Sequence, residues 1–476
     1  MSGVAGTGAM TGDPCSMTAV ALVEAYRAKK LSPVEVARAA LARIEKLNPT
    51  YNAFCLVDGE RALTDARASE ARWAKGTPAG PVDGVPATIK DLMLSKGWPT
   101  LRGSRTVERN QRWDEDSPAV ARLRENGAVF LGKTTTPEYG WKGVTDSPLT
   151  GSTRNPWNPA RCSGGSSGGA AVAAALGMGT LNIGSDGGGS IRMPAGFCGI
   201  FGFKPTFGVV PAYPSSAMVT LSHVGPMTRT VGDAALMLGV IAKPDARDWY
   251  AGPGLGIDYQ AGLEGGISGV KIAYSARLGY AAVDRDIARI IAQAARRLEA
   301  LGAIVEEVDP GFDSPEDLLA LIWEIGMAVL VESTPAEKRS LMDPPMLELA
   351  ERGRGYSAVE LRKAEQRREA LGRQMNLFHT RYDLLLTPQL PLTAFDSGLE
   401  YPPNRGFSRW WQWSPFTYPF NLTQQPAATV PCGFAGDGLP VCLQLVGTKF
   451  ADELVLRAAR AFEAAHPFAM PAAGAA

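Results

Sequence analysis

Apolar positions recur every three to four residues near the start of the chain, and the residues that punctuate them predict helices. Leu31-Ser32-Pro33-Val34-Glu35-Val36 combines an N-cap serine, proline at the first helical position and a glutamate that closes a capping box, with Leu31 and Val36 placed as a hydrophobic staple. Val36, Ala39, Ala40, Ile44 and Leu47 carry the stripe to Asn48-Pro49, where it should stop; a second helix is expected over residues 60–74, ending at Lys75-Gly76. From Val85 the pattern changes to short apolar runs between helices. Residues 85–89 read as a strand, Ser117-Pro118 opens a helix that Gly127 closes, and residues 128–131 read as the next strand. The rhythm returns with a strand at 270–274, a helix over 284–301 ended by Gly302, and a strand at 304–308. A further strand is expected at 384–386 and a closing helix over 452–465. This alternation predicts an α/β fold, a sheet covered by helices. No repeat and no long linker divides it, so we expect a helical N-terminal segment, residues 1–75, packed on one continuous core, residues 76–476.

Composition narrows the function classes. The 476 residues contain 48 Lys plus Arg and 48 Asp plus Glu, so no net field gathers nucleic acid or an anionic membrane. Hydrophobic residues at 45% and charged residues at 20% are the balance of a folded interior. The opening MSGVAGTGAMTGDPCS has neither a basic nor an apolar targeting region, and no run reaches the ~18 apolar residues of a membrane span, so a cytoplasmic protein is expected. Six cysteines are scattered without a CxxC pair, which suggests reduced thiols and neither a zinc site nor a disulfide framework. With only three histidines (His223, His379, His466), the chemistry has few to draw on.

Two short motifs mislead. Gly127-Ala-Val-Phe-Leu-Gly132-Lys133-Thr134 matches the phosphate-binding P-loop, yet its middle residues are strand formers, a helix precedes it and Pro137 follows, so no nucleotide cofactor is expected. Gly164-Gly165-Ser166-Ser167-Gly168 matches the nucleophile elbow of α/β-hydrolases. That reading makes Ser166 the nucleophile of a Ser-His-Asp esterase with His379 or His466 as base, but loop residues rather than a strand precede the motif.

A second serine lies in an equally unusual context, Gly184-Ser-Asp-Gly-Gly-Gly-Ser190-Ile-Arg-Met-Pro. Consecutive glycines let backbone N–H groups turn toward one point beside the hydroxyl, as an oxyanion hole requires. Between the two serines, residues 169–177 suit a helix buried on every side, which would tether both turns. A base is still needed, and with histidine scarce the candidate is a desolvated lysine: Lys90, at the end of the strand 85–89.

These residues resemble the amidase signature hydrolases. The resemblance rests on Gly164 to Gly169, Gly184-Ser185-Asp186 with Gly188-Gly189-Ser190-Ile191-Arg192, Pro194, and Phe197-Cys198-Gly199 through Phe203-Lys204-Pro205-Thr206. It extends to Gly84-Val85-Pro86 with Lys90-Asp91, Gly132-Lys133-Thr134, Asn155-Pro156-Trp157, Gly225-Pro226-Met227 with Arg229-Thr230, and Gly438-Leu439-Pro440 with the run 443–447. It implies a mixed, twisted sheet covered on both faces by helices, and a Ser-Ser-Lys triad. Ser190 would be the nucleophile, Ser166, after a cis peptide bond, would relay its proton, and neutral Lys90 would be the base. The amides of Gly187, Gly188, Gly189 and Ser190 would form the oxyanion hole, the Gly140 backbone would line the acyl pocket, and Ser167 and Arg192 would support the site. Gly187 departs from the pattern, which usually has threonine there, and would loosen the site or widen it. No metal or cofactor is implied.

The resemblance fixes a bond class, not a substrate. The aromatic segment 410–420, with Trp410, Trp411 and Trp413, would suit an aryl or bulky apolar group, so an aryl amide, anilide or carbamate is the expected small-molecule substrate. The rival within the family is the glutamine-hydrolysing component of a tRNA-dependent amidotransferase; a non-catalytic scaffold is the rival outside it. A monomer or homodimer is expected.

Overall fold

The computed structural model describes residues 12–471. Eleven strands form one mixed sheet. In chain order they are β1 (Phe54–Val57), β2 (Pro86–Lys90), β3 (Val129–Thr134), β4 (Leu181–Asp186), β5 (Phe201–Lys204), β6 (His223–Thr228), β7 (Lys271–Tyr274), β8 (Ile304–Glu307), β9 (Leu384–Pro388), β10 (Ala427–Phe434) and β11 (Pro440–Gly447). Across the sheet they run β1-β3-β2-β4-β6-β5-β10-β11-β9-β7-β8. β2 is parallel to both β3 and β4, and β7 is parallel to β8 and β9, while antiparallel pairs build the middle. The architecture is a single α/β domain with helices on both faces.

Alternation along the strands decides what each face meets. In β3, Phe130 enters a core cluster with Val120, Leu123 and the helix Val231–Ile241, whereas Val129 and Leu131 enter another with the helices Pro33–Tyr51 and Gly168–Ala175. In β2, Ala87 and Ile89 take the first side. Lys90, one residue on from Ile89, therefore turns to the side of the helix Gly168–Ala175. That helix, Gly-Gly-Ala-Ala-Val-Ala-Ala-Ala, is buried on its whole circumference, and its small side chains let it lie close against β2, β3, β4 and β6.

Several expectations meet a local correction. The helix from Pro33 has the expected capping box but runs through Pro49 to Tyr51. Proline this near a helix end removes an N–H from the last turn only, and Tyr51 is held there by burial, with Asn52 in the left-handed conformation ending the helix. The N-terminal segment is not wholly helical, since β1 pairs antiparallel with β3 and joins the sheet. Residues 1–11 of that segment and 472–476 of the expected core lie outside the described residues. The P-loop look-alike is strand: Gly132, Lys133 and Thr134 end β3, and Lys133 Nζ pairs with Asp91 at 3.1 Å, both side chains buried.

Candidate active site

Lys90 is the last residue of β2 and has no exposed surface. Its Nζ lies 2.7 Å from Ser166 Oγ, 2.8 Å from Ser167 Oγ and 3.0 Å from Ser185 Oγ. Burial strips the ammonium of water and holds the lysine well below its ordinary range, with the charge of Asp186 opposing this. Proton counting then gives the amine a direction. Ser167 donates its hydroxyl proton to the Ser185 carbonyl at 3.2 Å, so toward Lys90 it accepts. A neutral amine has two N–H groups and one lone pair. In that neutral form, with one N–H spent on Ser167, the other N–H and the lone pair would face Ser166 and Ser185, and either hydroxyl could donate to the lone pair.

The serine segments are bound to each other. The Gly165–Ser166 peptide is cis. The amide of Ser167, next in the chain, donates to the Ser190 carbonyl at 3.1 Å. Ser166, Ser185, Gly187 and Ser190 all line one cleft, and Gly140 lines it opposite Ser166.

What holds the Ser190 turn is a buried ion pair. Asp186 ends β4, which runs parallel to β2, so both strands deliver these residues to the same edge of the sheet. Its carboxylate accepts from the amides of Gly189 at 2.7 Å and Ile191 at 3.1 Å, from Asn421 Nδ2 at 2.8 Å, and from Arg192 Nε and Nη2, both at 3.0 Å. Burial alone would raise the Asp186 carboxyl, but the Arg192 charge and these hydrogen bonds keep it below the usual carboxylate range. Arg192 spends all five donors: beyond Asp186 they go to the Thr417 carbonyl at 2.8 Å, Gln444 Oε1 at 2.9 Å and Asn421 Oδ1 at 2.6 Å.

This arrangement corrects one expectation. The Gly189 amide is committed to Asp186 and is not free for an oxyanion. The amides of Gly187, Gly188 and Ser190 have no partner among the described residues. Gly189 serves geometry instead: its φ is +130°, and a Cβ there would lie 2.5 Å from Thr417 Oγ1.

The cleft encloses about 1130 Å³ of empty space, mouth included. Its apolar wall comes from Leu92, Tyr139, Trp141, Met218, Trp323 and Met327. Trp410, Trp411 and Trp413 are not among its lining residues. They are buried in the core, where Trp410 packs edge-on against Trp323 at 5.0 Å and Trp413 stacks on Phe197 at 5.6 Å. Aromatic density in a sequence reads the same for a core as for a pocket, and here the rings back the wall from behind. No histidine lines the cleft: His223 Nδ1 donates to the Leu221 carbonyl at 2.8 Å, and His379 Nδ1 is 3.0 Å from the Tyr382 carbonyl. Sequence reasoning missed Ser185 as a third hydroxyl on Lys90, and Thr417, Asn421 and Gln444 around Arg192. Of these, Ser185 had a signal in the glycine motif and Gln444 one in the run 443–447.

A family model described as Amidase matches residues 35–456. The chain belongs to the amidase signature family. This amidase is similar to the acylamidase of Rhodococcus erythropolis, 36% identical over 467 residues covering 95% of this chain and 96% of that one. It is also similar to a glutamyl-tRNA(Gln) amidotransferase subunit of Carboxydothermus hydrogenoformans, 35% identical over 475 residues, covering 94% and 96%. Among solved structures, a bacterial aryl acylamidase of the amidase signature family superposes with a TM-score of 0.89 at 31% identity, covering 95% of this chain and 96% of that one. Family and relatives make the enzyme a hydrolase of C–N amide bonds. No described helix is long and apolar enough to cross a membrane.

Proposed function

We propose that this amidase cleaves small amides, anilides or carbamates bearing an aryl or bulky apolar group, through an acyl-enzyme on Ser190. The observation that carries the reading is a fully buried Lys90 within 2.7 Å of Ser166, beneath an aromatic cleft that Ser190 also lines. Ser166 gives its proton to the Lys90 lone pair as it takes the proton of Ser190, and Ser190 Oγ attacks the carbonyl carbon. The free amides of Gly187, Gly188 and Ser190 receive the developing oxyanion. Collapse breaks the C–N bond, and the proton held on Lys90 returns through Ser166 to the leaving amine. Water then attacks the acyl-enzyme, losing a proton by the same relay, and Ser190 recovers its own as the acid departs. Ser167 orients Lys90, and Arg192 fixes the turn before Ser190.

The amidotransferase reading is supported by the similarity to the Carboxydothermus protein, but free glutamine is a zwitterion. No carboxylate lines the cleft to meet its α-ammonium group, while aromatic and methionine side chains abound. The test is fluorophosphonate labelling with peptide mapping, followed by turnover of aryl amides, aliphatic amides and glutamine. The reading expects one adduct on Ser190, lost in Lys90→Ala, retained in His379→Ala and His466→Ala, and fastest turnover of aryl amides. An adduct on Ser166, dependence on either histidine, or preferred glutamine hydrolysis overturns it.

A further inference from the structure

Among the residues lining the cleft, Arg102 alone carries a formal charge. It is half-buried, with Cζ 6.0 Å from the centroid of the Tyr139 ring. Its guanidinium makes no hydrogen bond or ion pair with any described residue. The carboxylates of the adjoining surface hollow pair elsewhere, Asp114 with Arg112 at 2.7 Å and Glu115 with Arg247 at 3.8 Å.

The backbone here is unusual as well. Arg102 has φ +58° and Tyr139 φ +49°, and the Tyr139 amide donates to the Arg102 carbonyl at 2.7 Å. Glycine would build a turn of this hand with less strain. The chain instead keeps two side chains there, and both face the cleft. Tyr139 adjoins Gly140, whose Cβ position would be 3.2 Å from Ser166 Oγ, and Arg102, Ser166 and Ser190 line the same cleft, so the free cation and the reacting groups face one space.

We propose that Arg102 is a specificity-determining residue that selects amides carrying a carboxylate or similar anion at the end remote from the scissile bond. An unpaired guanidinium on an aromatic face offers a planar fork that matches a carboxylate, in a wall whose other groups are neutral. The proposal rests on the amide-hydrolase reading of Ser190, and its test separates the two. Two matched pairs are compared: succinyl against butyryl 4-nitroanilide, with the anion on the acyl side, and 4-acetamidobenzoate against acetanilide, with the anion on the amine side.

In at least one pair, kcat/KM for the anionic member should exceed that for the neutral one by about tenfold, the scale of one charge-assisted hydrogen bond, mainly through KM and less so in high salt. Arg102→Met should bring that ratio close to one, and Arg102→Lys should keep part of it. Because the ratio is taken within each protein, a general loss of activity cancels. A ratio unchanged in Arg102→Met, or preference for the neutral member of both pairs, overturns the proposal. If no amide is turned over, the hydrolase reading fails by itself, and the charge selectivity is read from quenching of Trp fluorescence on titrating the same four compounds. Tighter binding of an anionic member that Arg102→Met abolishes supports the proposal; equal binding overturns it.

Discussion

Arg192→Met tests whether the buried ion pair, and not the glycines alone, holds the turn before Ser190. The methionine stem fills most of the arginine's space but removes five hydrogen bonds and the one charge in contact with Asp186. The carboxylate keeps the Gly189 and Ile191 amides and Asn421, all neutral donors. Removing one partner of a buried pair costs about 3–5 kcal/mol. With an unfolding entropy of about 2.1 cal/mol/K per residue, a chain of 476 residues loses only about 1 °C in Tm per kcal/mol, so the expected drop is about 3–5 °C. The pH dependence has a sign of its own. In the native protein the Asp186 carboxyl is lowered, so its stabilisation is present above the unfolded value near 3.9 and is lost only as pH falls through its folded value. Without Arg192 the buried carboxyl is raised above the unfolded value, and the deficit grows as pH rises. The Tm gap between the two proteins should be smaller at pH 4.5 than at pH 8, by circular dichroism at one fixed scan rate. Adding Asp186→Asn removes the unpaired charge and should recover part of the gap and its pH dependence. A gap under about 1 °C, or one equal at both pH values, would refute the reasoning.

Lys90→Met tests the cost of keeping a lysine neutral. Because the folded value lies well below the ordinary 10.5, the unfolded chain binds an extra proton between those limits, and the wild type gains stability as pH rises through that window. The Tm of Lys90→Met relative to wild type should therefore fall as pH rises toward 10.5, while Ser190 labelling is lost; a pH-independent difference would count against a neutral Lys90. The glycines of the turn should separate sharply. Gly189→Ala meets both the positive φ and Thr417 and should abolish labelling of Ser190. Gly187→Ala would place its Cβ at 3.6 Å from Trp323, an ordinary contact, and should keep labelling while raising KM for bulky amides more than for small ones. Equal labelling in the two variants would sink this distinction.

The chemistry was legible in the sequence because it is concentrated in contiguous, glycine-marked segments. Lys90, Ser166 and Ser190 stood out, and the strand end at Lys90 followed from the apolar run before it. The cleft wall was not legible, since Trp141, Met218 and the pair Trp323 and Met327 of the helix Glu316–Glu332 come from three separate segments and only folding brings them together. Trp410, Trp411 and Trp413 drew attention by their density and proved to be packing. Strands β5, β6, β10 and β11 were missed for another reason: Gly202, Pro226 and Pro431 interrupt, and Pro440 opens, runs that are mostly buried on both faces, which hides both the alternation and the propensity that mark a strand. The Gly189 amide shows the limit of counting glycines: the motif supplies N–H groups, but only the position of Asp186 tells which of them is already taken.

The wall and the catalytic base rest on different cores. Helix Gly168–Ala175, beside Lys90, belongs to a cluster with Val129, Leu131 and Ile191, whereas Trp141, Met218, Trp323 and Met327 belong to another built around Trp410, Trp413 and the helices Glu316–Glu332 and Pro344–Arg354. A mutational library confined to the wall would thus draw its stability losses from one packing unit while the lysine and its hydroxyls stay in register on the other. Such a scaffold can exchange one substrate for another in small steps without rebuilding its chemistry.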